Sequence, residues 1–231
     1  TLLAFIKPGD RIACIEHVYP DTYRFLERML RPFGVQVDYY PPAQFQDDPD
    51  LLDGVAIAFL ESPGSIVFNT MDLRRVADHA KRHNTLTMID NSWASPVFQR
   101  PLELGIDIVL HSASKYISGH SDTVAGVVVS SRSNIARIRD LTLPLLGAKL
   151  APFEAFLLIR GLRTLSRGAQ YQCAAAQTRV ICAQLPTRLG ALQLLTLCLQ
   201  AQFKLSFQLF LQTIERVFGI VHALGQSIAP L

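Results

Sequence analysis

Charge is scarce in this chain of 231 residues: Asp, Glu, Lys and Arg make up 18%, against 49% hydrophobic residues. The net charge is only +3, and the basic residues are scattered among acids with no stripe of interleaved aromatics, so a nucleic-acid partner is not expected. Cysteine is sparse too. Cys14, Cys173, Cys182 and Cys198 form no CxxC pair and no disulfide framework, which predicts free, mostly buried thiols in a reducing compartment, and hence the cytoplasm. No basic segment followed by an apolar core and a small-residue cleavage site opens the chain at Thr1. A charge-free run at residues 189–203 is interrupted by Gln193 and Gln200 and is shorter than the roughly 20 residues a spanning helix needs, so no membrane partner is expected. His111 and His120 lack a carboxylate or cysteine cluster at metal-ligand spacing; they read as structural histidines, and no metal is expected.

What remains is enough to bury a sizeable core in one or two domains. Short β-type runs at 11–15, 35–39, 55–60, 86–89 and 106–110 alternate with helical patterns at 21–31 and 71–83, the signature of an α/β fold. The runs at 55–60 and 106–110 are almost continuously apolar, as strands covered on both faces of a mostly parallel sheet must be. Ligands then belong at the carboxyl ends of the strands. Asp72 is placed to cap the helix that follows it, and Pro63-Gly64-Ser65 makes a tight turn directly after a strand. The large domain is expected over residues 1–150. A long helix beginning near Pro152 connects it to a smaller, incomplete C-terminal α/β domain over 151–231.

The chemistry-bearing stretch is Asp107-Ile-Val-Leu-His-Ser-Ala-Ser-Lys-Tyr-Ile-Ser-Gly-His-Ser-Asp122, preceded by Thr87-Met-Ile-Asp-Asn-Ser-Trp-Ala-Ser-Pro96. Lys115 follows a buried-type strand, and Asp90 lies twenty-five residues before it at the end of another. This layout suits pyridoxal phosphate, which needs a lysine to hold its aldehyde as a Schiff base, a carboxylate to keep its ring nitrogen protonated, and donors for its phosphate. Ser112 and Ser114 offer hydroxyl donors for the phosphate. Ser112-Ala-Ser-Lys115 is also a Ser-x-x-Lys sequence, but Ser121-Asp-Thr123 is not Ser-Asp-Asn and Lys-Thr-Gly is missing, which counts against a serine β-lactamase.

The blocks Glu61-Ser-Pro-Gly-Ser-Ile66, Met88-Ile-Asp-Asn-Ser-Trp-Ala94, Leu104-Gly-Ile-Asp107, Ser114-Lys-Tyr-Ile-Ser-Gly-His-Ser-Asp122 and Arg160-Gly-Leu-Arg-Thr-Leu165 resemble the cysteine and methionine metabolism family of pyridoxal phosphate enzymes. The resemblance runs to about residue 172 and returns weakly at 207–216 and 227–230. It implies the fold type I, aspartate aminotransferase-like architecture and a dimer-based homotetramer in the intact parent. Lys115 and Tyr19 would be catalytic, Lys115 holding the cofactor and moving the substrate α-proton and Tyr19 stacking on the ring. Asp90, Ser112, Ser114 and Ser65 would complete the cofactor contacts. Met88 and Trp93 are expected to be packing residues.

Ser65 stands where γ-specific relatives carry asparagine in Thr-Pro-x-Asn-Pro, which implies β-elimination of an amino-acid substrate, L-cystathionine, to homocysteine, pyruvate and ammonia. The alternatives are γ-elimination or γ-replacement chemistry, or an inactive remnant. The resemblance also places a Gly-led phosphate loop and a partner subunit's Tyr-x-Arg before Thr1, and a substrate-carboxylate arginine after Leu231. The expectation is therefore that the chain alone binds the cofactor weakly and does not turn over.

Overall fold

The computed structural model describes residues 1–171, and Thr1–Ala169 form a compact unit. Cys173, Cys182, Cys198, the apolar run at 189–203 and most of the expected C-terminal domain lie outside the described residues. β1 (Arg11–Ile15) is followed by α1 (Pro20–Phe25), a π turn at Leu26–Leu30, a 3-10 turn at Arg31–Phe33, and β2 (Gln36–Tyr40). Next come α2 (Pro42–Asp47), β3 (Ile57–Glu61), α3 (Leu73–Arg82), β4 (Leu86–Asp90), α4 (Ser95–Phe98) and β5 (Ile108–Ser112). β6 (Gly126–Ser130), α5 (Arg132–Leu146) and α6 (Pro152–Leu162) follow.

The strands make one sheet in the order β2-β1-β3-β4-β5-β6, with every neighbouring pair parallel except β5 and β6. All five residues of β3 are buried, as are four of five in β1, as expected of strands covered on both faces. Ile12, Ile57, Leu60, Met88, Ile89 and Ile108 are almost completely buried at the centre of the core. The chain leaves β1 to one side for β2 and then crosses to the other side for β3. The strand order therefore reverses between β1 and β3, and in open α/β sheets the crevice beyond the carboxyl ends at such a point is where ligands bind.

Two polar devices set the geometry of that edge. The Asp107 carboxylate, just ahead of β5, accepts from both the backbone N–H (2.9 Å) and the hydroxyl (2.7 Å) of Thr87 in β4. The Thr87 hydroxyl in turn accepts from the Asp107 N–H at 2.8 Å. This clamp fixes the register of β4 on β5 and so brings Asp90 and Ser112 to the same edge. On the other strand pair, α3 is capped as its sequence predicts: Asp72 Oδ1 accepts from the N–H groups of Arg74 and Arg75 at 3.0 and 3.2 Å. Asp72→Ala should lower unfolding stability by about 1 kcal/mol, read as a shift in a urea or thermal transition, with the sheet otherwise intact.

Three elements depart from the sequence reading. The helix expected at 21–31 breaks into α, π and 3-10 segments, because Pro32 cannot continue the ladder and Gly34 closes the turn at φ 84°. β6 and α5 were not anticipated. β6 is an edge strand with partly exposed residues, and α5 carries Pro144 inside it, so neither shows a clean period.

Candidate active site

The carboxyl edge of the sheet brings together residues from four successive strand ends. Tyr19 lies in the connection after β1, Glu61 ends β3, Asp90 ends β4 beside it in register, and Ser112 ends β5. The lysine loop leaves β5 and returns as β6. Lys115 Nζ sits 4.5 Å from the centroid of the Tyr19 ring, a cation–π contact. Both side chains are open to solvent: Tyr19 is 39% exposed, and Lys115 falls in the exposed class.

The loop is held by what flanks the lysine rather than by the lysine itself. Ala113 and Ile117 are buried with Leu158 and Leu165 in a small apolar cluster separate from the main core. The α6 backbone comes so close that a Cβ on Gly161 would lie 2.2 Å from the Ser118 carbonyl oxygen and 2.3 Å from that of Ile117. An ion pair between Arg160 and Asp122 ties the same helix to the far end of the loop. At the neck, Ser114 Oγ accepts from the Ala125 N–H at 2.9 Å and donates to the Ala125 carbonyl at 3.2 Å.

The remaining site residues are placed as follows. Asp90 Oδ1 accepts from the Ser92 N–H at 2.9 Å, the turn-capping contact open to any strand-end aspartate; among the described residues, no hydrogen bond engages its other oxygen. The Ser112 N–H donates to Ser92 Oγ at 2.6 Å, and among the described residues no protein group takes the Ser112 hydroxyl. Ser114 lies at the expected place, but its hydroxyl is already occupied by Ala125. Ser65 donates its hydroxyl to Glu61 Oε1 at 2.6 Å. His111 is buried, and desolvation holds its imidazole pKa below the usual value against the opposing pull of Asp90. Met88 packs in the core, whereas Trp93 is 50% exposed and lies against Phe68 and Tyr116. Among the described residues no cluster of histidine, cysteine or acidic side chains could hold a metal, and no helix is long and apolar enough to cross a membrane.

The donor set fits pyridoxal phosphate. It offers an amine over an aromatic face, a carboxylate with one oxygen free at the adjoining strand end, and an open hydroxyl at the end of β5. Glu61, within Glu61-Ser-Pro-Gly-Ser-Ile66, has no expected role. The available signal was an acid closing a strand that is otherwise wholly apolar, next to the strand that ends in Asp90.

The sheet and its lysine loop define a fold type I pyridoxal phosphate protein. Its solved neighbours include a cystathionine gamma-lyase from Lactobacillus plantarum complexed with L-serine, which matches with a TM-score of 0.68 at 35% identity over 71% of this chain and 44% of that one. Residues 1–181 match the family model for Cys/Met metabolism PLP-dependent enzymes, and the chain belongs to that family. It is 37% identical to an L-methionine gamma-lyase of Pseudomonas putida over 183 residues, 77% of this chain and 45% of the relative. It is 36% identical to a cystathionine beta-lyase of Coxiella burnetii over 182 residues, 76% of this chain and 46% of the relative. The chain thus spans about half the length of the curated relatives it matches. Similarity this even between β- and γ-acting relatives defines a pyridoxal phosphate-dependent lyase family without selecting the bond that is cut.

Proposed function

We propose that this chain carries the lysine-bearing part of a carbon–sulfur lyase that performs β-elimination on L-cystathionine. The observation that carries the reading is the Lys115 amine over the Tyr19 ring at the switch point of the sheet, with Asp90 at the adjoining strand end. Bound at Lys115, pyridoxal phosphate supplies the electron sink for the charge left on the substrate when its α-proton is removed. Asp90, through its free oxygen, keeps a proton on the ring nitrogen. Tyr19 covers one ring face and excludes water. Lys115 would hold the cofactor and, freed when the substrate amine takes its place, would carry the α-proton. The Cβ–S bond then breaks, homocysteine leaves as its thiolate and takes up a proton, and hydrolysis of the remaining three-carbon fragment gives pyruvate and ammonia.

Elimination at the β-carbon is supported by the Glu61-Ser-Pro-Gly-Ser65 turn, in which the Ser65 hydroxyl is drawn back onto Glu61. The reading includes a cytoplasmic homotetramer. Ile66, Val67, Phe68 and Trp93, all exposed around the site, are the apolar surface a second copy would cover. L-cystathionine given in excess cofactor to a version of the protein completed at both ends should release pyruvate and homocysteine. Release of 2-oxobutyrate and cysteine would assign it to the γ-acting relatives instead, and no keto acid at all from a protein with Lys115 loaded would mark an inactive remnant.

A further inference from the structure

Glu61 crosses the crevice between β1 and β3. It is only 7% exposed, yet among the described residues it forms no salt bridge with a lysine or arginine. A carboxylate in such a place is costly unless its oxygens are well used. Both are: Oε2 accepts from the Tyr19 backbone N–H at 2.8 Å, and Oε1 accepts from the Ser65 hydroxyl at 2.6 Å. The Ser65 N–H donates to the His17 carbonyl at 2.9 Å, so two hydrogen bonds join the connection after β1 to the end of β3 and its turn, and the Ser65–Glu61 bond links them on the β3 side. Burial raises the Glu61 pKa, and the hydrogen bonds from Ser65 and Tyr19 oppose that rise.

We propose that Glu61 is a positioning residue that fixes the Tyr19 ring over the Lys115 amine and so sets the plane in which the cofactor is received. The inference rests on Lys115 being the cofactor lysine. The Tyr19 ring is too exposed for packing to hold it. Its backbone is another matter: φ −51° and ψ 136° place it at the head of α1, directly before Pro20, and the Glu61 bond anchors its N–H from across the crevice. An anchor on the backbone of residue 19 fixes where its Cα–Cβ bond starts, and from there the ring reaches the lysine 4.5 Å away. Asp90 acts on the ring nitrogen; Glu61 acts on the aromatic face that meets it.

The test compares the 231-residue chain with its Glu61→Met and Glu61→Gln variants in excess pyridoxal phosphate. Methionine keeps the volume and removes both acceptors, and replacing a buried charge by an apolar side chain of similar size is often neutral for stability. Glutamine keeps an oxygen for the Tyr19 N–H and an amide within reach of Ser65. Three readouts are taken: the circular dichroism of the bound cofactor, the borohydride-stable mass increment on the Lys115 peptide, and hydrogen exchange across residues 16–20. Glu61→Met should fold, lose the induced dichroism, give roughly tenfold less trapped Lys115, about 1.4 kcal/mol, and exchange faster at 16–20. Glu61→Gln should keep all three near wild type.

A Met variant identical to wild type overturns the proposal. So does a Gln variant as impaired as Met, which would make the charge and not the tether the active feature. A Met variant that fails to fold also overturns it, since Glu61 would then be supporting the sheet edge rather than the ring. Wild type with no increment on Lys115, even at cofactor concentrations high enough to saturate a weak site, would defeat the cofactor-lysine reading itself, and that result is visible before any substitution is compared.

Discussion

Replacing Lys115 with alanine in a version of the protein completed at both ends should abolish the cofactor's visible absorbance and any borohydride-stable increment, and lower turnover by several orders of magnitude. Two functions go at once. On the proposed assignment, the amine that holds the cofactor is lost, and so is the group that carries the α-proton, whose contribution alone is roughly 10²–10⁴-fold in rate. The fold should not notice. Lys115 is exposed, and its loop is held by Ala113, Ile117 and the Ser114 neck, none of which the substitution touches. Unfolding transitions of Lys115→Ala and wild type should therefore coincide in the absence of cofactor. Persistence of a trapped adduct on another lysine with full yield would show that Lys115 is not the attachment point.

Gly161→Ala should be damaging out of proportion to the single methyl it adds. A Cβ there would lie 2.2 and 2.3 Å from two backbone carbonyl oxygens, and backbone cannot swing aside as the end of a side chain can. Either α6 lifts off the lysine loop or the loop moves toward the cofactor site. Overpacking of this kind typically costs about 1–3 kcal/mol, and here the displaced segment carries Lys115 three residues away from Ser118. We expect a lowered thermal midpoint together with a larger fractional loss in Lys115 trapping. Gly168→Ala, where an added Cβ meets nothing within 4 Å, is the matched control and should leave trapping unchanged. Equal behaviour of the two variants would mean that α6 does not set the position of the loop.

β3 was legible because burial on both faces leaves an almost unbroken apolar run, and β1 was read to the residue: the expected 11–15 is the observed Arg11–Ile15. The α3 cap was legible for a local reason, since an aspartate two and three residues ahead of the amides it accepts from needs no tertiary information. β6 was hidden because its partner is supplied by a strand fourteen or more residues earlier and much of its surface stays wet. Lys115 and Asp90 could be picked out because residue type and strand-end position together are restrictive. The engagement of Ser114 by Ala125, and of Ser65 by Glu61, could not be read at all. A hydroxyl looks the same in sequence whether it faces a ligand or a backbone group brought beside it by the fold.

The Ser114–Ala125 contact makes the lysine segment a noose drawn shut at its base, with one cord running into β5 and the other into the antiparallel β6. The position of the reactive amine is thus inherited from the pairing Ser112↔Gly126 as much as from the strand that precedes it. Sliding β6 by a single residue would turn its side chains to the opposite face and carry Ala125 away from the serine, loosening the noose without altering any residue inside it. The outermost strand of the sheet, farthest from the crevice between β1 and β3, is in this sense the gauge that sets where the lysine stands.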